Sequence, residues 1–224
     1  MKPFLAIDCG AASLKVALFE PQASGSLVLA RYEIVSLGQR GLEETDRVGL
    51  LKEVLQDTLD RHEIRAKGLE AHVCTPSYQS FTKFLRTPPV EGNKVGQIIQ
   101  YEAQQNVPFP LDEVEWDYQI LGTAATGELE VMLMALKLDV IDSLSTVCND
   151  LGLKLAIVDG SAAALRNAFM HNYGDLEGCS LVLDVGAKTA NALFIEEGGK
   201  FFMRSINFGA NAVTQEFSRE SGLD

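Results

Sequence analysis

What this sequence has little of narrows its possible classes. Its four cysteines, Cys9, Cys74, Cys148 and Cys179, stand far apart, with no C-x-x-C pair and no neighbouring histidine. That spacing argues against both a zinc site and a disulfide framework, and the thiols are expected to be reduced and buried. The three histidines, His62, His72 and His171, share no spacing that suggests a site. Basic residues are in the minority, with 19 Lys and Arg against 31 Asp and Glu and a formal charge of −12. Such a surface repels phosphate backbones and anionic headgroups, so neither nucleic acid nor a polybasic membrane contact is expected. No apolar run is long enough to cross a bilayer. Met1-Lys2-Pro3 leads straight into Phe4-Leu5-Ala6-Ile7-Asp8, too short and too soon charged for the apolar stretch of a signal peptide. What is present, 224 residues with 46% hydrophobic side chains, is enough to bury a core as one large domain or two small ones.

Periodicity divides the chain into three stretches. Phe4 to Asp8, Leu14 to Glu20 and Leu27 to Val35 read as strands of successive hairpins, punctuated by Gly10 and by Pro21 to Ser26. Between Asp46 and His62, Val48, Leu51, Leu55 and Leu59 recur at helical steps, and Ala71 to Thr75 then reads as a buried strand. From Ser77 the rhythm changes. A strand over Ser80 to Arg86 is followed by Pro88-Pro89 and by a helix from about Asn93 to Asn106 with Val95, Ile98, Ile99 and Ala103 inward. Strands Val114 to Leu121 and Leu129 to Leu138 come next, then a helix capped by Asp139 and stopped by Gly152. This order of strand, helix, strand, strand and helix makes a compact α+β module, read as an insertion. Strand Leu153 to Val158, a helix from Ser161, strands Ser180 to Val185, Ala190 to Ile195 and Lys200 to Ile206, and a helix from near Asn211 complete the pattern.

The most informative feature is internal repetition. Asp8-Cys9-Gly10-Ala11-Ala12-Ser13-Leu14-Lys15 and Asp184-Val185-Gly186-Ala187-Lys188-Thr189-Ala190-Asn191 share the pattern Asp-x-Gly-Ala-x-(Ser/Thr), each between two strands. Glu20 matches Glu196, and Arg31 falls opposite Arg204. Two related halves facing one cleft are expected. A glycine in a tight turn lets successive N–H groups point outward together, which favours an anion such as phosphate. Ser13 and Thr189 add hydroxyls, Lys15 adds charge, and Asp8 and Asp184 suit a hydrated Mg²⁺ held through its waters. One such turn is ordinary hairpin chemistry; the matched pair is what points to a ligand. Lys188 reads equally as ligand or bystander.

The two turns resemble the phosphate-binding signatures of the actin, sugar-kinase and large heat-shock chaperone superfamily, and Asp159-Gly160-Ser161-Ala162-Ala163-Ala164-Leu165 resembles its connecting helix. Tyr101-Glu102-Ala103-Gln104-Gln105-Asn106-Val107-Pro108-Phe109-Pro110, Asp117 to Gly122, Leu85 to Pro89 and the stretch from Gly209 to Thr214 resemble the PilM family of type IV pilus assembly proteins over nearly the whole chain.

The resemblance implies an α/β, actin-like (ribonuclease H-like) ATPase fold with an inserted α+β subdomain. Residues 1–76 and 153–178 would form the first actin-like subdomain, 77–152 the insertion of the FtsA and PilM type, and 179–224 the start of the second. It implies ATP and Mg²⁺ held by Asp8, Gly10, Ala11, Ser13, Lys15, Asp184, Gly186, Ala187 and Thr189, with Asp159 positioning water. It further implies a cytoplasmic scaffold, peripheral to the inner membrane through partners, that takes the tail of a PilN-like membrane protein in a groove lined by Phe81 and Phe84, beside other pilus platform proteins. Departures temper the chemistry. Ala11 and Ala12 stand where hydroxyl residues are usual, and Asn191 where an acidic one often is, so hydrolysis is expected to be weak at most. The superfamily's later adenosine-binding segment is not among these residues, and ATP affinity of this stretch alone is expected to be weak or absent. An actin-fold small-molecule kinase and an FtsA-like division filament protein are the alternatives; no convincing sugar-binding set appears between Ser77 and Gly152.

Overall fold

The computed structural model describes residues 2–43, 46–89 and 94–222. The chain begins β1 (Phe4–Cys9), β2 (Ser13–Pro21), β3 (Leu27–Ser36), α1 (Gly38–Leu42), α2 (Arg47–Arg61), β4 (Glu70–Thr75) and β5 (Ser80–Thr87). It continues α3 (Lys94–Asn106), a 3-10 turn (Leu111–Glu113), β6 (Val114–Thr123), β7 (Leu129–Lys137), α4 (Leu138–Asp150), β8 (Lys154–Gly160) and α5 (Ser161–Tyr173). It ends β9 (Ser180–Val185), β10 (Ala190–Ile195), β11 (Phe201–Ile206) and α6 (Ala210–Ser221).

Among the described residues three sheets form. The first has the order β3-β2-β1-β4-β8, antiparallel as far as β1 and parallel from β1 through β4 to β8. Leu5, Ile7 and Cys9 of β1 and Ala71 and Val73 of β4 alternate onto one face, where Leu50, Leu55 and Leu59 of α2 and Leu144, Val147 and Cys148 of α4 cover them. Each leucine so buried is worth about 1.5–3 kcal/mol relative to exposure. The helix grouped by sequence with the insertion, α4, thus packs on the first sheet.

The inward stripe of α2 differs from the one read from sequence: Val48 is exposed and Leu50 is buried. The reason lies at the helix start, where Asp46 caps in a left-handed conformation and its side chain accepts from the Gly49 N–H. Arg47 is then the first inward residue, and the stripe continues at three- and four-residue steps from it through Leu50 and Leu51. Asp139 also differs from its expected role. The chain passes from β7 into α4 without a linker, Lys137 holds the cap position with no side-chain bond, and Asp139 lies in the first turn, where its charge complements the helix dipole. The expected helix start at Asn93 falls outside the described residues; Ile99 and Ala103 are the inward residues of α3.

The inserted sheet, β5-β7-β6, is antiparallel. One face meets α3 through Ala103, Leu133 and Ala135, while the other meets β10, β11 and α5 through Met132, Leu193 and Phe201. Covered on both sides, β7 buries Val131, Met132 and Leu133 in succession and loses the alternation of a half-exposed strand. The third sheet, β11-β10-β9, is antiparallel as well.

Candidate functional site

Parallel pairing of β1, β4 and β8 sets Asp8 beside Cys74 and Cys74 beside Asp159 at the carboxyl ends of the three strands. In open α/β sheets that edge is where ligands sit. The first turn follows directly. A Cβ on Gly10 would stand 2.8 Å from the Ser13 carbonyl oxygen, 3.6 Å from the Lys15 Nζ and 3.7 Å from the Ser13 Oγ. Only glycine leaves that space open. Lys15 lies across the ladder from Asp8, and its Nζ donates to Asp8 Oδ2 at 2.6 Å. From behind, the buried Arg47 guanidinium donates to the carbonyls of Cys9 and Gly10, both at 2.9 Å, and of Gly41 at 3.3 Å. Ala12 O accepts from the Leu37 N–H at 2.8 Å.

Asp159 is the last residue but one of β8, its Oδ1 accepting from the Gly160 N–H at 2.8 Å, and the Thr75 hydroxyl donates to its carbonyl at 3.1 Å. Partial burial raises its carboxyl above the usual carboxylate range, against the pull of the Gly160 bond. Burial also pushes the neighbouring Cys74 thiol up to about 12, with the Asp8 and Asp159 carboxylates adding to the effect. Asp8, Lys15 and Asp159 open together on a depression of about 480 Å³ on the first sheet, lined by Ala17, Ile34 and Ile157 and bounded by Ala164 of α5.

In the second turn the Gly186 N–H donates to Thr189 O at 3.0 Å, and a Cβ on Gly186 would stand 3.0 Å from that same oxygen. The start of α6 rests on the turn, its Ala210 and Asn211 N–H groups donating to the Gly186 and Ala187 carbonyls at 2.9 and 3.1 Å. Asn191, the buried residue opposite Asp184, donates its amide to Asp184 Oδ2 at 3.0 Å and accepts from the Ser205 hydroxyl at 2.8 Å. The two turns are therefore alike in register: Lys15 is to Asp8 what Asn191 is to Asp184. Ser77, in the loop after β4, reaches the second turn with its Oγ 2.9 Å from Thr189 Oγ1. Lys188 Nζ lies 4.9 Å over the ring of the next residue, Tyr78.

Phe81 and Phe84 share a depression of about 410 Å³ between β5 and β11, lined also by Ser77 and Arg204. Phe81 lines a groove of about 560 Å³ between α2, α4 and the inserted sheet, together with Arg47, Tyr78, Phe109, Lys137 and Val140. Phe84 does not line that groove; it packs against Phe201 and Phe202 at 5.5 and 5.0 Å between ring centres. Sequence reasoning missed Arg47 and Ser77. A cation at the head of an otherwise apolar stripe was a signal for Arg47, whereas nothing local marks Ser77, whose partner lies 112 positions away.

Chemically, each turn offers a backbone bend open above its glycine, a hydroxyl and a carboxylate, which is a donor set for a phosphate and for a hydrated divalent cation. The Gly10 space bounded by Ser13 and Lys15 fits such a group.

Comparison with known proteins supplies the context. The family profile described as type IV pilus assembly protein PilM matches residues 6–224. A solved PilM-PilN type IV pilus biogenesis complex is similar at a TM-score of 0.80 and 18% identity, over 99% of this chain and 66% of that one. This chain spans just under two thirds of that relative's length. A Bacteroides thetaiotaomicron protein with an actin-like ATPase fold and unknown function follows at 0.56 and 10% identity, over 100% of this chain and 78% of that one. The cytoplasmic domain of EpsL, an inner-membrane component of the Vibrio cholerae type II secretion system, matches at 0.56 and 9% identity, over 91% of this chain and 71% of that one. These likenesses show the fold: an actin-like ATPase fold with a mixed α/β core and an inserted subdomain. Among the described residues, no helix is long and apolar enough to cross a membrane.

Proposed function

The chain belongs to the type IV pilus assembly protein PilM family, and from that premise we propose that it serves as a cytoplasmic, ATP-binding scaffold of the inner-membrane pilus platform, peripheral to the membrane through its partners. The partner is the cytoplasmic N-terminal tail of a PilN-like membrane protein, held in the groove beside Phe81. The observation that carries the nucleotide half is the shared register of the two turns, each with its glycine, hydroxyl and carboxylate at matching positions. Gly10, Ala11, Ser13 and Lys15 would hold phosphate from one side and Gly186, Ala187 and Thr189 from the other. Asp8 and Asp184 would hold Mg²⁺ through its waters, and Asp159 would orient a water. Bound MgATP supplies a divalent cation and a hydrolysable phosphoanhydride.

Hydrolysis on this scaffold is weak at most. Ala11 and Ala12 bring no hydroxyl to the first turn, and each missing bond to a charged group forgoes about 1.5–3 kcal/mol. The domains divide as 1–76 with 153–178, 77–152 as the insertion save for α4, which packs on the first sheet, and 179–224 as the start of the second half.

The peptide half rests on the groove itself, whose apolar floor of Phe81, Phe109 and Val140 is flanked by the charges of Arg47 and Lys137. Its wall strand, β5, lies at the edge of the inserted sheet, where an extended segment gains backbone bonds by strand addition. Calorimetric titration with a synthetic peptide of the PilN-like protein's cytoplasmic tail, from the same organism, tests it. Val140→Asp should weaken binding at least tenfold, about 1.4 kcal/mol. An absence of binding to the unsubstituted protein, or equal binding to V140D, overturns the placement.

A further inference from the structure

Each turn is backed by a glycine from later in its own half, and the two glycines touch the same point of the pattern. A Cβ on Gly41 would fall 2.4 Å from the Ala11 carbonyl oxygen. One on Gly209 would fall 2.4 Å from that of Ala187 and 2.7 Å from that of Gly186. Backbone atoms do not give way as the tip of a flexible side chain does, so only glycine fits either place. Both glycines follow the third strand of their half, Gly41 within α1 and Gly209 as the cap residue of α6. Further bonds hold the neighbouring carbonyls. Gly10 O accepts from Arg47, which also holds the Gly41 carbonyl. Gly186 O and Ala187 O accept from the Ala210 and Asn211 N–H groups.

We propose that Gly41 and Gly209 are positioning residues for phosphate: each, pressed against the alanine carbonyl of its turn, fixes the peptide planes so that their amides face the ligand. The inference rests on the phosphate reading above and names what aims the donors. In a planar trans peptide the N–H points away from the carbonyl. The carbonyls of Gly10 and Ala11, held from behind, therefore turn the Ala11 and Ala12 amides outward. Those of Gly186 and Ala187 do the same for the Ala187 and Lys188 amides. Two successive amides so aligned make an anion-binding concavity. Because Ala11 and Ala12 bring no hydroxyl, the first turn depends on these amides all the more. Donors fixed in advance need no reorganisation when the anion arrives. A Cβ in either place would push the carbonyl aside and swing the amide behind it out of line.

The test uses the full-length protein and MgATP. Affinity is measured by calorimetry, amide resonances are followed at saturating MgATP, and urea midpoints report on the fold. In the unsubstituted protein the Ala11, Ala12, Ala187 and Lys188 resonances should move on binding. Gly209→Ala should weaken binding about tenfold and lose the movement at Ala187 and Lys188 only. Gly41→Ala should lose it at Ala11 and Ala12 only. A merely structural loss would spread to both turns. Ala210→Pro guards against a G209A protein that fails to fold. Proline suits the first position of a helix, Gly209 before it is already extended, and the substitution deletes the N–H that Gly186 O accepts. It should act like G209A. Gly122→Ala, whose Cβ would meet nothing within 4 Å among the described residues, should change neither affinity nor resonances. Full affinity in folded G209A or in A210P, or resonances lost at both turns from either glycine variant, overturns the proposal and leaves the phosphate reading intact. Failure of the unsubstituted protein to bind MgATP overturns both.

Discussion

The two turns carry one pattern and are held by different means. The first is braced from behind by a buried guanidinium that gathers three carbonyls, and its carboxylate is paired on the outer side with an exposed ammonium. The second is braced by neutral amides and hydroxyls: Asn191 holds Asp184, the head of α6 holds the turn's carbonyls, and Ser77 reaches Thr189. Equal sequence patterns thus have unequal braces, a buried guanidinium behind the first turn and amides with hydroxyls around the second. The departure at Asn191, read from sequence as a lost acidic group, is the piece that fixes the second carboxylate in place.

The difference can be broken or sharpened by substitution. Arg47→Met should have the largest effect. It removes charged donors from three carbonyls in a buried place, and a loss of about 3 kcal/mol is expected, read as a lower urea midpoint with an unchanged slope. Asn191→Asp makes the second turn charged as well. It buries a carboxylate against that of Asp184, whose like charge raises the folded-state pKa of the pair. The variant should lose about 2 kcal/mol at pH 7 relative to the unsubstituted protein. Because the protonated form is favoured in the fold, that deficit should be absent below the unfolded pKa near 4 and should grow as pH rises through the folded value, in thermal melts between pH 4 and 8. Lys15→Met should be smallest for stability. Its ion pair with Asp8 is nearly half exposed, so less than about 1 kcal/mol is at stake, and less still in high salt. A thermal scan across ionic strengths would show a larger change to be incompatible with an exposed pair.

Strand placement was largely legible in the sequence, because alternation and helical spacing are written locally: β9 and β10 fall on their expected residues. The paired turns were legible for the same reason, being two copies of one short pattern. What was hidden depends on distance or on boundary conditions. The five residues of α1 include two glycines and show no period. The phase of α2 was set by the inward turn of Arg47, which a stripe of leucines and valines does not reveal. Asp139 reads as a cap only if a linker separates β7 from α4, and none does. Phe81 and Phe84 lie three residues apart on one strand; both line a depression between β5 and β11, while Phe81 also reaches the groove beside α2 and α4, a second setting that spacing along the strand does not reveal. The contact of Ser77 with Thr189 could be seen only once the chain had folded back on itself.

The place of β4 in the first sheet has a consequence for how the molecule is made. Its two neighbours, β1 and β8, come from residues 4–9 and 154–160, and the whole inserted sheet is encoded between β4 and β8. As synthesis proceeds from the N-terminus, the hairpins of β1 to β3 and of β6 and β7 can close early, while one edge of β4 waits for a strand that has not yet left the ribosome. Long-range parallel pairing is slow and leaves such edges open to aggregation in the meantime. The nascent chain is therefore most in need of chaperoning between the emergence of Thr75 and that of Gly160, the interval in which the floor beneath Asp8 and Asp159 is still unfinished.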